Sequence, residues 1–491
     1  MTQAANLLKH NTDAVPSTGD MMAWITEVVD HGIRRPGTHA GDRVEQWALS
    51  RFRYLGLRDP RREPFEVSTW TPGPARLVAW PADRPAETIE LAGFPLPYTQ
   101  ATAGHEADVV LLGDDAAASG SARGAIAVDV LALGRLPQDL VATVATAGID
   151  ARGELTGVEQ LLPLGPRLGK EVDAAVEAGA SGYVGVLADM PWTTRDYYVP
   201  YDAETRDLPA VWVDRDDGRA LLALLAAGPV RGRIEVEGRI GTATTANVVG
   251  TLPGVSDEWV VVGSHHDAPW ASAVEDGTGI ALVLGQARFW AQVPETQRPH
   301  NMLFLLNGAH MAGGAGVWSF LDTHADLLDR VVLSLHLEHA AAAVRGEHGK
   351  LVPTGDPEIA WWFTSQDPLL EDAVVSALQA EEMRRSWVFP PQVFGEFPPT
   401  DGGPFHTRGV PLVDFLTAPV YLFDRADTLD MVHEPSLVPL TRTAIRIIAS
   451  LADRTAAEVR AGVAAAVAAT APAEPTAPAG ASAEPAPPAP A

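Results

Sequence analysis

Four short stretches of this sequence carry side chains able to hold a divalent metal or move a proton, and each lies beside an apolar run. "WVVVGS" (259–264) is followed by His265, His266 and Asp267, and "SAVEDGTG" (272–279) carries Glu275 and Asp276 ahead of a helical stretch. "MLFLL" (302–306) leads into "NGAHMAGGAG", where His310 stands among small residues, and "VVLSLHLEH" (331–339) brings His336, Glu338 and His339. Imidazole with carboxylate oxygen and no thiolate is ligand chemistry for Zn²⁺, Mn²⁺, Co²⁺ or Fe²⁺. A lone strand-end histidine is usually a cap or a solvent-facing group. Several arriving at one edge favour a metal centre.

Strand alternation sorts these residues. Side chains at i and i+2 share a face, which pairs His336 with Glu338 and Asp267 with His265. The same rule turns His266 and His339 away, toward packing or supporting roles. Asp267 is expected to orient the His265 imidazole through its second ring nitrogen. His265, Glu275 and Glu338 then make a centre with an open position, flanked by Asp276. His310 completes it as a ligand or stands beside it as a base; with a pKa near neutrality, imidazole suits either task.

The elements that must position these groups are legible too. After Asn247, strands alternate with helices of 10–20 residues, which predicts an α/β fold with a doubly wound, mostly parallel sheet. In such sheets ligands bind outside the C-terminal strand ends, where these residues fall. Residues 20–57 have helical periodicity, with Gly56 as a C-cap. From 76 to 240 short Val/Ala-rich strands alternate with Gly-punctuated turns, as in "GAIAVDVLALG" and "SGYVGVLAD", suggesting a smaller inserted α/β unit. The expected organisation is an N-terminal part of the catalytic domain (1–75), the insert (76–240), the catalytic core (241–455), and a helix end with an Ala/Pro-rich tail (456–491). Residues 471–490 read as disordered.

The chain has 491 residues, enough for two or three domains. Its net charge of −27 opposes binding to nucleic acid or anionic membranes. With no cysteine there is no disulfide, thiolate metal site or cysteine nucleophile. The N-terminal residues lack a secretory pattern and no apolar run approaches a membrane span, so a cytoplasmic location is expected. The composition leaves the oligomeric state open, a homodimer among the options.

"TANVVGTLPGVSDEWVVVGSHHDA" (245–268) resembles the entry to the catalytic core of the co-catalytic zinc aminopeptidases and glutamate carboxypeptidases. "HGIRRPGTHAGDRVEQWALSRFRYLGL" resembles that family's opening helix, and "AAVEAGASGYVGV" with "LPAVWVDRDDGRALLALL" resembles an inserted protease-associated (PA) domain. The resemblance implies a first metal held by His265, Glu275 as the bridging carboxylate, and Glu338, the last two each one methylene longer than the family's aspartates. It also implies departures. Ala309-His310 stands where the family has a Glu-Glu pair, the first a general base and the second a metal ligand. In "YLFDRADTLDMV", Asp427-Thr428 is kept but Phe423 stands where a histidine ligand belongs. "TDGGPFHTRGVP" matches a substrate-side loop and adds His406; this residue or His433 offers itself as a spatial substitute.

The resulting expectation is a metal-dependent hydrolase that cleaves an amide or similar bond in a small molecule or short peptide. It holds one divalent ion per chain, zinc first, with manganese, cobalt or iron as alternatives. His310 is its catalytic or ligating imidazole, and His336 or His406 is the reserve. Two other readings remain: an ordinary aminopeptidase with a remodelled site, and an inactive binding protein on a peptidase frame. Trp270, Trp318 and the aromatic residues of 387–405 suggest an apolar pocket.

Overall fold

The computed structural model describes residues 3–113 and 120–470, so the Ala/Pro-rich tail lies outside the described residues. Fourteen strands join in one sheet among them. In chain order these are β1 (Arg58–Pro81), β2 (Ile89–Pro95), β3 (Thr102–Leu111), β4 (Ile126–Val130), β5 (Ala147–Ile149), β6 (Gly182–Leu187) and β7 (Ala210–Asp214). They continue with β8 (Val230–Leu252), β9 (Trp259–His265), β10 (Asn301–Asn307), β11 (Val331–Leu337), β12 (Ala360–Thr364), β13 (Ser386–Phe389) and β14 (Leu412–Thr417).

β1 and β8 run antiparallel over almost their full length, from Arg58 opposite Thr251 to Pro81 opposite Val230. Positions 76 and 240 fall inside these two strands, so the chain passes from one half to the other along a continuous ribbon. The pairings β1–β2–β7–β6–β4–β3–β8 return to β1 and close a ring of strands. Leu77, Val109, Val128, Val184, Val211 and Ile234 form its own apolar cluster.

Beyond β8 the order is β10–β9–β11–β14–β12–β13–β5. Within it β10, β9, β11 and β14 are parallel, as β3, β4, β6 and β7 are in the other half. Antiparallel pairings flank both blocks. The sheet is therefore mixed, and the mostly parallel expectation is corrected. The cause is local: β8 arrives as half of an antiparallel ribbon and meets β10 in the opposite sense.

β10 and β11 are buried at nearly every residue, as strands covered on both faces must be. Alternation divides them. Met302, Phe304 and Leu306 join the core with Leu282 and Phe289 of the helix Gly279–Gln292, whereas Leu303 and Leu305 meet Val317 and Phe320 of the helix Ala315–Thr323. The helix Thr18–Asp30 contributes Met21, Ile25 and Val28 to the first of these cores, tying the N-terminal segment to the half that carries β9, β10 and β11. The helices Glu434–Ser450 and Ala456–Thr470 follow β14. No helix among the described residues is long and apolar enough to cross a membrane.

Candidate metal centre

β9, β10 and β11 lie side by side in parallel, so the residues after them emerge at one edge. His265 ends β9, buried. Its Nδ1 lies 3.0 Å from the carbonyl oxygen of Asp267, which can only accept, so Nδ1 donates and Nε2 is presented to the site. His339 repeats the device: Nδ1 donates to the Thr417 carbonyl at 2.9 Å. Glu275 stands between them, with Oε1 3.3 Å from His265 Nε2 and Oε2 2.6 Å from His339 Nε2. The His310 ring stacks on His265 with centroids 4.1 Å apart and planes 9° from parallel. Its Nδ1 is 2.8 Å from Asp401 Oδ1.

Two groups of mutually close ligand atoms result among the described residues: His265, Glu275 and His310, and His265, Asp276 and His339. Glu338 stands alongside, its Oε2 4.0 Å from His339 Nε2. His265 Nε2, His339 Nε2, both Glu275 oxygens and Glu338 Oε1 are buried without a well-directed hydrogen-bond partner, the short His339–Glu275 approach included. Buried polar atoms of this kind need an explanation. Neutral imidazole nitrogens and carboxylate oxygens pointing at common space fit a divalent cation, and zinc suits the set.

The electrostatics agree. Burial pushes the Asp276 carboxyl up to about 7, with Glu275 adding to the shift. Glu338 is held well above the usual range by burial and by Asp414, Asp276, Asp401 and Glu275. Burial and the neighbouring His310 and His339 hold His265 well below the ordinary imidazole value. For His310, burial opposes the charged form but Asp401 outweighs it, giving about 9. His339 likewise reaches about 8, where Glu275 overcomes burial. Excess acid balanced by trapped protons is the state that a cation would replace.

Several expectations are corrected. His339 faces into the site, not away from it: β11 ends at Leu337, and His339 adopts φ 54°, so strand alternation no longer governs it. Asp267 orients His265 through its backbone carbonyl, while its carboxylate accepts the backbone N–H groups of His310 and Met311 at 3.0 and 2.8 Å. His336 joins neither ligand group. It packs against Phe405 and over Gly263, where an added Cβ would come within 2.6 Å of the imidazole. Burial holds His336 at about 4. His406 and His433 also belong to neither group, and His433 Nδ1 pairs with Ser436 Oγ at 2.6 Å. Asp276 does belong to one of the two groups, with its oxygens also accepting from Ser264 Oγ and from the Gly279 N–H, the latter at 3.0 Å. His266 does face away, with Nε2 on the Ala246 carbonyl.

The loop carrying Glu275 is clamped from both ends of the chain. Arg34, fully buried, donates to the carbonyls of His266, Ser272 and Glu275 at 3.2, 2.7 and 2.9 Å. Asp427 accepts the N–H groups of Ala273, Val274 and Glu275 at 3.2, 2.8 and 2.8 Å. The Glu275–Asp276 peptide is cis.

The profile of peptidase family M28 matches residues 247–448, which span β9, β10, β11 and the Glu275 loop. This part of the chain belongs to peptidase family M28. The match supports a metal-dependent hydrolase. The whole fold is similar to that of a peptidase M28 precursor from Shewanella amazonensis, with 18% identity, TM-score 0.69 and coverage of 92% of this chain and 96% of that one. An aminopeptidase from Aneurinibacillus sp. strain AM-1 is similar at 18% identity and TM-score 0.62, covering 91% and 95%. A zinc aminopeptidase from Bacillus subtilis is similar at 16% identity and TM-score 0.62, covering 90% and 96%. No curated protein matches in sequence.

Over the M28 site lie two aromatic rings. Tyr201, on the segment between β6 and β7, stacks on His310 at 5.7 Å and on Phe423 at 5.0 Å. Phe423 thus packs where the resemblance places a histidine, and its carbonyl accepts the Trp270 indole N–H at 3.1 Å. Trp318 sits partly exposed on its helix. Asp401, Asp414 and Tyr201 stand at the site without any spacing in the sequence that announces them.

Proposed function

We propose that the protein hydrolyses an amide bond in a small molecule or short peptide, at a divalent metal centre formed by His265, Glu275 and Glu338 with His310 beside it. The observation that carries this reading is the convergence of unpartnered imidazole nitrogens and Glu275 oxygens at the strand ends. When bound, such a metal polarises a carbonyl and lowers the pKa of a water toward neutrality.

The remaining work falls to side chains. His265 and His339 are locked in the tautomer that presents Nε2, by the Asp267 and Thr417 carbonyls. Arg34 and Asp427 fix the Glu275 loop. Ala309 is fully buried and packs with Val67 and Ala312, and it offers no carboxylate for proton transfer. His310 with Asp401 is therefore the proton-handling pair: Asp401 Oδ1 holds the Nδ1 proton, and the ring stacks on His265. Tyr201 stacks on His310 and Phe423 on Tyr201, and this bulk beside the imidazole supports a small substrate over a folded chain.

Leucyl and alanyl anilides, followed by a panel of small amides, test the reading. Turnover should stop on chelation, return with zinc, and fall roughly 10³-fold or more in a Glu275→Ala variant, the scale of a lost metal-ion contribution of several kcal/mol. Protein that binds no stoichiometric metal would overturn the reading, as would an undiminished rate in folded Glu275→Ala.

A further inference from the structure

We propose that Asp414 and Thr400 are positioning residues for the His310 imidazole, acting through the turn that carries Asp401. The inference deepens the reading of His310 with Asp401 as the proton-handling pair, and rests on it for its kinetic consequence alone.

His310 is held at two points. Its backbone N–H donates to Asp267 Oδ1 at 3.0 Å, which fixes where the chain stands. Its Nδ1 meets Asp401 Oδ1 at 2.8 Å, which fixes the rotation of a ring that stacks on His265 and on Tyr201. The second hold is only as exact as Asp401 itself. Asp401 is buried on the irregular stretch between β13 and the short helix Gly403–Thr407, and its Oδ2 has no hydrogen-bond partner. The aim of its carboxylate therefore depends on the backbone to either side.

That backbone is pinned to the sheet. Thr400 Oγ donates to Asp414 Oδ2 and accepts the Gly402 N–H at 3.1 Å, so one hydroxyl spans the residue between them. The Thr400 N–H donates to the Pro398 carbonyl at 2.8 Å, and the Thr400 carbonyl accepts the Gly403 N–H at 3.1 Å. Asp414 is fully buried on β14, which pairs with β11 on one side and β12 on the other. A side chain on an interior strand gives a more exact base than a loop alone can. The fit is close: a Cβ on Gly402 would come within 2.6 Å of Asp414 Oδ2, so glycine lets the turn lie against the carboxylate. An apolar pair of the same shape would fill this space at little cost in stability. What the hydroxyl–carboxylate link adds is a fixed direction for the residue between.

Two readouts on full-length protein with zinc added test this, with circular dichroism confirming each fold. The first is the downfield proton spectrum, where the hydrogen-bonded Nδ1 proton of His310 is the resonance lost in His310→Gln. Asp414→Ala and Thr400→Val should shift or broaden it. Asp414→Asn and Thr400→Ser, which keep the acceptor and the donor, should retain it. The second is amide turnover. In Asp414→Ala and Thr400→Val, kcat should fall roughly 10–100-fold, the scale of a misaimed group, with zinc content and KM kept. The double variant should be no slower than either single one, because both break one link, and the Asn and Ser variants should recover most of the rate. An unaltered resonance in folded Asp414→Ala and Thr400→Val overturns the positioning role, and its absence from the wild type overturns the Asp401 contact behind it. A shifted resonance with undiminished kcat overturns the bearing on catalysis, and loss of zinc makes the pair a support of the metal instead. A wild type that turns over no amide overturns the proposed function, while the resonance still decides whether Asp414 and Thr400 hold the ring.

Discussion

Around Glu275, buried groups hold protons more tightly in the folded chain than in the unfolded one. Asp276, Asp414 and Asp427 are each pushed up to about 7 by burial. His339 reaches about 8 and His310 about 9, where carboxylates overcome burial. All five bind more protons folded than unfolded between about pH 6.5 and 8, so stability falls as pH rises through that window. Below about pH 6.5 the lowered values of His265 and His336 act in the opposite sense, because these rings charge on unfolding. Metal-free protein should therefore lose thermal stability between about pH 6.5 and 8. The stabilisation given by zinc should grow over the same range, as ligands shed protons more easily. Thermal melts with and without zinc at about pH 6.5, 7.2 and 8.0 check this, and a zinc increment that shrinks with pH would contradict it.

The same residues show what strand logic can and cannot reveal. His265 and His310 are accessible to it because each follows an apolar run and ligands gather at strand ends, and Glu275 because it stands on the loop ahead of the next helix. His339 escapes because a period of two holds only while the chain stays extended, and β11 stops at Leu337. Asp401 lies on a loop whose only local signal is the turn-forming "TDGG", which says nothing about a partner 91 residues earlier.

Among the elements, the Glu275 loop depends on a clamp drawn from distant segments. Arg34 takes its carbonyls and Asp427 its amides, so Glu275 is fixed by residues outside both ligand groups. Asp427→Ala should free the loop and weaken zinc binding about 10–100-fold, the usual effect of losing outer support. Competition against a chromophoric chelator measures it, with far-UV circular dichroism to confirm the fold. An unchanged affinity would mean that Arg34 alone holds the loop. The resemblance picks out Asp427 beside Thr428, but its work as an acceptor for three amides is visible only in the fold. The catalytic strands are readable as buried runs. The long β1–β8 ribbon is not, because its residues alternate between ring, solvent and core along its whole length.

At the scale of the whole molecule, the ring of strands is tied to the metal site by the segment between β6 and β7. Tyr198 donates its backbone N–H to the Phe423 carbonyl at 2.9 Å, the Gly313 N–H reaches the Tyr201 carbonyl at 2.9 Å, and Thr194 Oγ donates to Asp424 at 2.6 Å. Arg425 pairs with Asp196 at 2.7 Å across the same junction. These contacts hold Tyr201 against His310 and Phe423, so one half of the molecule packs on the imidazole carried by the other. A ring in that place meets substrate without being needed to hold the metal. Tyr201→Ala should leave zinc content unchanged and raise KM for an active amide roughly fivefold to tenfold, the equivalent of losing one aromatic contact of about 1–1.5 kcal/mol. Steady-state kinetics paired with zinc analysis on the same preparation decides it. Loss of zinc would make Tyr201 a structural support of the centre, and an unchanged KM would remove it from the substrate's path. Weakened binding at full metal content is the signature of a selective cover, because a cover touches the substrate and leaves the ligands to the strand ends beneath it.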